Sequence, residues 1–410
     1  MKNSTLTCLL FSVLCLISIT SCKQPDKNFV DQNIEFADTQ MRNLLSAVGD
    51  SEKLPRSVLP SGELDMVDIE DWTSGFFPGV LWYMYELTND DYWKQAAETQ
   101  SQKLLPLQYF TDHHDVGFMM YCSYGNGYRL TQNEDYKGIL INSAKSLSTR
   151  FRKNAGIIQS WDFSRSWGGE AWRCPVIIDN MMNLELLFFA SKVTNDDTFR
   201  NIAISHADRT LENHIREDYS SYHVVNYDTI SGQATGLGTR QGFADNSTWA
   251  RGQGWSIYGF TMTYRETRNP KYLEAAQRIA DFYIQHPNLP EDKIPYWDFN
   301  VNEPGYTPLF GYDMNKYKII PRDVSAATIA ISGMLELSYI LGEKGKKYYD
   351  FAEEALQSLS SHYLYKGNHS FILDQSVGNF PGDSEITVPL IYADYYFLEA
   401  LLRYKQLSVK

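Results

Sequence analysis

The chain has 410 residues, 43% hydrophobic and 21% charged, which supplies a sizeable core and argues against a disordered or fibrous segment. Its formal net charge of −13 argues against a nucleic-acid partner, whose phosphates need a basic footprint. An anionic ligand would have to be held by local cations against that overall field.

The chain opens with a targeting segment. Lys2 gives a positive start, and Leu9 to Ile19 is an apolar run too short to span a bilayer comfortably. The run ends in Ile19-Thr20-Ser21-Cys22, which is similar to a bacterial lipoprotein signal, where the cysteine becomes the lipidated first residue. Residues 1–22 are therefore expected to be the signal, with Cys22 carrying lipid in a periplasmic or outer-membrane lipoprotein. An ordinary cleaved signal peptide is the alternative. Residues 23–28 are polar and fit a short tether. Cys8 and Cys15 leave with the signal, so only Cys122 and Cys174 remain, paired or simply buried. No CxxC spacing suggests a metal.

From Val30 the chain turns helical. Val30, Ile34, Ala37, Met41, Leu44, Leu45 and Val48 step by three or four, the stripe of an amphipathic helix. Similar stripes recur, joined by a repeated motif. Leu87-Thr88-Asn89-Asp90-Asp91-Tyr92-Trp93 is followed by Leu130-Thr131-Gln132-Asn133-Glu134-Asp135-Tyr136 and Val193-Thr194-Asn195-Asp196-Asp197-Thr198-Phe199. Glu266-Thr267-Arg268-Asn269-Pro270-Lys271-Tyr272 is a fourth copy, and Leu341 to Tyr348 is a looser fifth. Each copy ends one helix and starts the next, with an Asn or Asp placed to cap the new one. The pattern predicts roughly a dozen helices. Their starts fall near Phe29, Pro78, Asp91, Gly117, Asp135, Asp179, Asp196, Thr248, Lys271, Asp323, Lys346 and Thr387. Convincing strand pairs are few.

Repeated helical hairpins outrank any single helix assignment. Insertions near 214–247, 287–322 and 363–386 are long and rich in Gly, Asp, Tyr and Trp, and such loops are usually functional. Gathered on one face, they would make a deep cleft. The expected architecture is therefore all-α, one (α/α)6 toroid of six hairpins over residues 29–410. An open interaction solenoid would have evenly spaced repeats.

Four segments can carry chemistry: Asp71 to Gly79, His113 to Phe118, Ile178 to Asn183 and Ser247 to Trp255. Asp115 and Asp179 sit at helix starts, where an N-cap is the ordinary role for Asp. Their surroundings differ from a cap's. Asp115 follows two histidines and precedes a glycine; Asp179 follows the apolar run Pro175-Val176-Ile177-Ile178, which should partly bury it. A buried carboxyl can stay protonated near neutral pH, as a general acid requires. Arg251 and the histidines can hold a carboxylate or hydroxyls. No HExxH, GxGxxG, GxxxxGK[ST] or GxSxG is present, so metal, nucleotide and serine-hydrolase readings lose support, and no cofactor is expected.

Trp72-Thr73-Ser74-Gly75-Phe76, His114-Asp115-Val116-Gly117-Phe118, Ile178-Asp179-Asn180-Met181-Met182-Asn183 and Trp249-Ala250-Arg251-Gly252-Gln253-Gly254-Trp255 occur in this order. Pro295 to Phe299, Arg322 to Ala327 and Tyr392 to Ala400 follow. Together they resemble the unsaturated glucuronyl hydrolases of glycoside hydrolase family 88, from about Asn28 to Arg403. The resemblance implies an (α/α)6 barrel acting on oligosaccharides that a polysaccharide lyase has left with a 4,5-unsaturated uronate. It places the general acid and base at Asp179 and a second acidic residue at Asp115. Substrate-binding roles fall on Trp72, Phe76, His114, His223, Gln241, Arg251 and Trp255, of which His223 and Gln241 lie in a variable loop. Ala393 stands where the family pattern expects Gly. The implied reaction is hydration of a vinyl ether: Asp179 protonates C4, water deprotonated by the same residue adds at C5, and the hemiketal opens. A related hydrolase type acting on unsaturated rhamnogalacturonyl fragments, and a non-catalytic glycan-binding lipoprotein, are the alternatives. The parent polysaccharide and the oligomeric state are not legible.

Overall fold

A computed structural model describes residues 27–408 apart from 314, 315, 318 and 369. The signal segment with Cys22, and the tether up to residue 26, lie outside the described residues. Thirteen α-helical stretches are present among them, two joined by a π turn, which leaves twelve helices. They are α1 (Lys27–Val48), α2 (Phe76–Thr88), α3 (Asp91–Gln102) and α4 (Val116–Met120, the π turn Tyr121–Gly125 and Asn126–Thr131). Then come α5 (Glu134–Ser148), α6 (Leu184–Thr194), α7 (Asp197–Asn213) and α8 (Ala250–Thr267). The last four are α9 (Pro270–Gln285), α10 (Val324–Leu341), α11 (Lys346–His362) and α12 (Ile391–Ser408).

The even-numbered helices form an inner ring that closes where α12 packs on α2, and the odd-numbered ones pack outside it. The sequences explain the split. Along α9, only Tyr272, Ala275, Ala276, Ile279, Ala280 and Tyr283 are buried, one stripe at helical spacing. In α10, every residue from Val324 to Leu335 is buried, as an element packed on all sides requires. Small residues let the inner helices approach: a Cβ on Gly333 would lie 2.9 Å from the Tyr258 Cα.

The repeated motif is the turn between an inner helix and the next outer one. Asn89, Gln132, Asn195 and Arg268 hold left-handed φ of 55° to 57°. The next residue, Asp90, Asn133, Asp196 or Asn269, caps the new helix with its side chain. These turns share the end of the ring where inner helices finish. There Glu399 accepts from the hydroxyls of Tyr83 (2.8 Å), Tyr258 (3.0 Å) and Ser332 (2.6 Å).

Strand pairing exceeds what the sequence led us to expect. β1 (Leu54–Val58) pairs with β2 (Leu64–Val67), and β6 (Ser376–Asn379) with β7 (Ser384–Val388). β3 (Pro175–Ile177), β4 (Val224–Tyr227) and β5 (Ala234–Gly238) form a three-stranded antiparallel sheet. Thr387, an expected helix start, lies in β7, and α12 begins at Ile391. The expected helix at Asp179 begins as the 3-10 turn Ile178–Asn183. Cys122 and Cys174 are free and buried.

Candidate active site

All six inner helices start at the end of the ring opposite the repeated turns. Their positive dipole ends converge there, which favours an anion despite the overall charge. A cavity of about 210 Å³ opens at this end, lined by Arg56, Trp72, Asp115, Trp161, Ile177, Asp179, Gln241, Arg251, Gly378, Asn379, Glu385 and Tyr392.

Asp179 reaches it because β3 carries the chain inward and the 3-10 turn then presents the carboxyl. Its side chain is 9% exposed. Burial, reinforced by the neighbouring Asp115 and opposed by Arg251, pushes its pKa up to about 7. Asp179 Oδ2 has no hydrogen-bond partner among the protein atoms, and neither do His223 Nε2, Trp255 Nε1 and Arg251 Nε. An unpaired carboxyl oxygen with three more unsatisfied buried polar atoms around it is costly without a polar ligand, so the four point to one.

Asp115 occupies the N-cap position of α4, but its side chain makes no capping bond. It faces His113 Nδ1 at 3.1 Å and His114 Nε2 at 3.3 Å instead. Burial alone would raise its pKa, but His114, His113 and Arg150 outweigh that and hold it below the usual carboxylate range. The two carboxyls are thus set apart, Asp115 ionised and Asp179 able to stay protonated.

His223 stacks on Trp249, with ring centroids 4.3 Å apart. Its Nδ1 accepts the backbone N–H groups of Arg240 and Gln241, both at 3.2 Å. Those groups only donate, so the ring proton sits on Nε2, 3.9 Å from Asp179 Oδ2. Burial holds His223 well below the ordinary histidine value, so the ring is a neutral donor. Arg251, at the start of α8, donates to Gly378 O at 2.7 Å and to Val377 O, and pairs with Asp323 at 3.2 Å.

Of the residues the sequence singled out, Trp72, Asp115, Asp179, Gln241 and Arg251 reach the cavity wall. Phe76, His114 and Trp255 are fully buried and lie behind it. Phe76 packs on Phe118 at 5.4 Å, and Phe118 on Trp255 at 5.1 Å, an aromatic floor under the site.

Arg56, Trp161, Ile177 and Tyr392 were not singled out as ligands, nor were Gly378, Asn379 and Glu385. The last three belong to the 363–386 insertion or adjoin it, so loop length was their signal. Arg56 had none: it makes a bidentate pair with Glu385, 329 residues away, at 2.6 and 2.7 Å. The 214–247 insertion supplies His223 and Gln241. The 287–322 insertion supports from behind, with Trp297 stacked on Phe380 at 4.2 Å and Asp298 accepting Phe243 N–H at 2.9 Å.

A family pattern described as Glycosyl Hydrolase Family 88 matches residues 52–288. The chain is 43% identical over 404 residues to an unsaturated glucuronyl hydrolase of Formosa agariphila, covering 97% of this chain and 96% of that one. A crystal structure of an unsaturated glucuronyl hydrolase specific for heparin superposes with a TM-score of 0.86 at 44% identity, covering 93% of this chain and 98% of that one. An unsaturated glucuronyl hydrolase from a Bacillus species, responsible for the degradation of glycosaminoglycan, superposes with a TM-score of 0.81 at 32% identity, covering 91% and 96%.

Proposed function

The chain belongs to glycoside hydrolase family 88, and from that premise we propose that Asp179 is the single acid and base of its reaction. The protein is a glycosidase that removes an unsaturated uronic acid from oligosaccharides. The observation that carries the assignment is a carboxyl at the cavity wall whose pKa is pushed up to about 7 by burial, beside an ionised partner.

In the proposed sequence the Asp179 proton goes to C4 of the unsaturated ring, and positive charge develops at C5 and the ring oxygen. Asp179, now a carboxylate, takes a proton from water as the water oxygen bonds to C5. The hemiketal opens by breaking the bond from C5 to the ring oxygen, and the hemiacetal left at C1 collapses to an aldehyde, expelling the remaining glycan as an alcohol and leaving a 4-deoxy-5-keto uronate. No covalent enzyme intermediate forms, so carboxyl spacing does not decide a retaining or inverting outcome here. Asp115 accepts from sugar hydroxyls, and its charge favours the protonated form of Asp179. Trp72 offers an apolar face to the ring. The Nε2–H of His223, the Gln241 amide and Arg251 hold the uronate's oxygens.

The likeness to an enzyme specific for heparin supports a lyase-generated glycosaminoglycan disaccharide as substrate, heparin-derived ones first. The test is loss of the near-ultraviolet absorbance of the conjugated double bond. Wild type should bleach at least one unsaturated disaccharide of a lyase-generated panel, and Asp179→Asn none. A folded wild-type protein that bleaches no glucuronyl substrate sinks the assignment.

For location, the Ile19-Thr20-Ser21-Cys22 ending supports lipidation at Cys22 and anchoring in a bacterial cell envelope. Metabolic labelling with a fatty acid tests this; label that survives Cys22→Ala rules it out.

A further inference from the structure

Behind the cavity wall lies a chain of buried contacts that reaches Asp115 without touching the cavity. Asn183, the last residue of the 3-10 turn, is fully buried. Its Oδ1 accepts the backbone N–H of Phe118 at 3.0 Å. A backbone N–H only donates, so the orientation of the Asn183 amide is set, and Nδ2 faces His114 Nδ1 at 3.4 Å. Nδ2 also only donates, so His114 Nδ1 is the acceptor. The proton of the neutral ring therefore sits on Nε2, which lies 3.3 Å from Asp115 Oδ1 without the angle of a hydrogen bond and is also close to the Asn180 side chain. Burial pushes the His114 pKa down to about 4, so the ring stays neutral through the pH range of interest.

From this geometry we infer that Asn183 is a positioning residue: by fixing the His114 tautomer it keeps the ring N–H, rather than a lone pair, on the Asp115 side, which favours ionised Asp115 and with it protonated Asp179. The inference rests on Asp179 being the acid. One local feature exists to allow the contact. A Cβ on Gly117 would lie 2.5 Å from the Asn183 Cα and 2.6 Å from its Oδ1, so only glycine admits Asn183 at the start of α4.

The electrostatics can be followed from each side. His114, His113 and Arg150 act on Asp115. Asp179 is faced by Asp115 at the N-cap of α4, by Arg251 in α8 and by His223 just before β4. Arg56, Glu385 and Tyr392 complete the charged and titratable lining of the cavity. Of these only His114 is a hydrogen-bond partner of Asn183; since Asn183 also ends the 3-10 turn that carries Asp179, a change there has a side-chain route through His114 and Asp115 and a backbone route along the turn.

Asn183→Asp replaces the donor facing His114 Nδ1 with an acceptor. Either the ring proton moves to Nδ1, turning a lone pair towards Asp115 and favouring its protonation, or the ring becomes an imidazolium. The first outcome moves the negative charge from Asp115 at the cavity wall to residue 183 behind it, and the second pairs the new carboxylate with an imidazolium that also faces Asp115; in each, Asp115 favours the protonated form of Asp179 less. Both lower the Asp179 pKa.

The experiment is the pH profile of kcat for wild type, Asn183→Asp and Asp179→Asn on one unsaturated disaccharide. The alkaline limb of Asn183→Asp should move down by about one pH unit, with KM changed less than kcat. A limb that stays at its wild-type position, however low kcat falls, overturns the inference, since a merely structural role would lower kcat uniformly. Nitrogen-15 NMR of wild-type His114 decides the matter even if the variant does not fold: a proton on Nδ1 overturns the inference, and one on Nε2 supports it. Activity that survives in Asp179→Asn would instead sink the assignment of Asp179.

Discussion

The two ends of the ring use the same residue type at the same kind of place and obtain opposite chemistry. At the turn end, Asp90 and Asp196 precede helices and accept backbone N–H groups, from Tyr92 at 3.0 Å and Thr198 at 2.9 Å. The Tyr92 N–H together with Arg42 holds Asp90 below its ordinary pKa, and the Thr198 hydroxyl together with its N–H does so for Asp196. At the cleft end, Asp115 also sits at an N-cap position, and Asp179 in a first turn, yet neither caps. Asp115 is engaged by histidines, and Asp179 is left without a partner on Oδ2. The difference lies in surroundings: a capping carboxyl is exposed and bonded to the helix backbone, whereas Asp179 is buried with its Oδ2 unpaired. Helix-start position alone therefore does not assign a role to an aspartate.

The largest expected break of this contrast is Asp179→Asn. Loss of the proposed acid and base should lower kcat by roughly 10³-fold or more, measured by bleaching of the conjugated substrate. Stability should move the other way. A carboxyl whose folded pKa is raised from 3.8 to about 7 makes the folded state bind more protons, so wild type loses stability as pH rises through that window. Asp179→Asn lacks this loss and should be more stable at pH 8 by on the order of a few kcal/mol, with the gain vanishing below pH 4. Equal melting of the two proteins at pH 8 would contradict the raised pKa.

Asp115→Asn should cost less, on the order of 10²-fold in kcat. It should also shift the alkaline limb of the profile downwards, because Asp179 loses its negative neighbour. A limb that moves upwards would show that Asp115 does not favour the protonated acid.

The smallest effect belongs to the turn end. Asp196→Ala removes the α7 cap and should cost about 1 kcal/mol in denaturant unfolding, with kcat within twofold of wild type. Activity falling with stability in this variant would mean that the ends are coupled and the contrast is false.

The helical part of the fold was legible because its signals are local. Each repeated turn announces itself through a left-handed residue followed by a cap, and the outer helices through their apolar stripes. The short hairpins were not legible: β1 to β7 span only three to five residues each, too few for alternation to register. Within the site, Asp115 and Asp179 stood out through their immediate neighbours. Arg56 and Tyr392 did not, since what brings them to the cavity is closure of the ring. Phe76, His114 and Trp255 carry the same motif signals as the wall residues, and sequence spacing cannot tell a ring that lines the cavity from a fully buried one beside it.

The ring closes only when α12 reaches α2, and the cavity wall is drawn from Arg56 at one extreme and Tyr392 at the other. During synthesis the chain emerges from its N-terminus, so the acid and its histidine support are made long before Glu385 arrives to grip Arg56. Until then the site has no complete wall and its carboxyl no dry pocket to raise its pKa. A nascent or proteolytic chain that lacks α12 is therefore expected to hold Asp179 without the enclosed pocket, and so without activity.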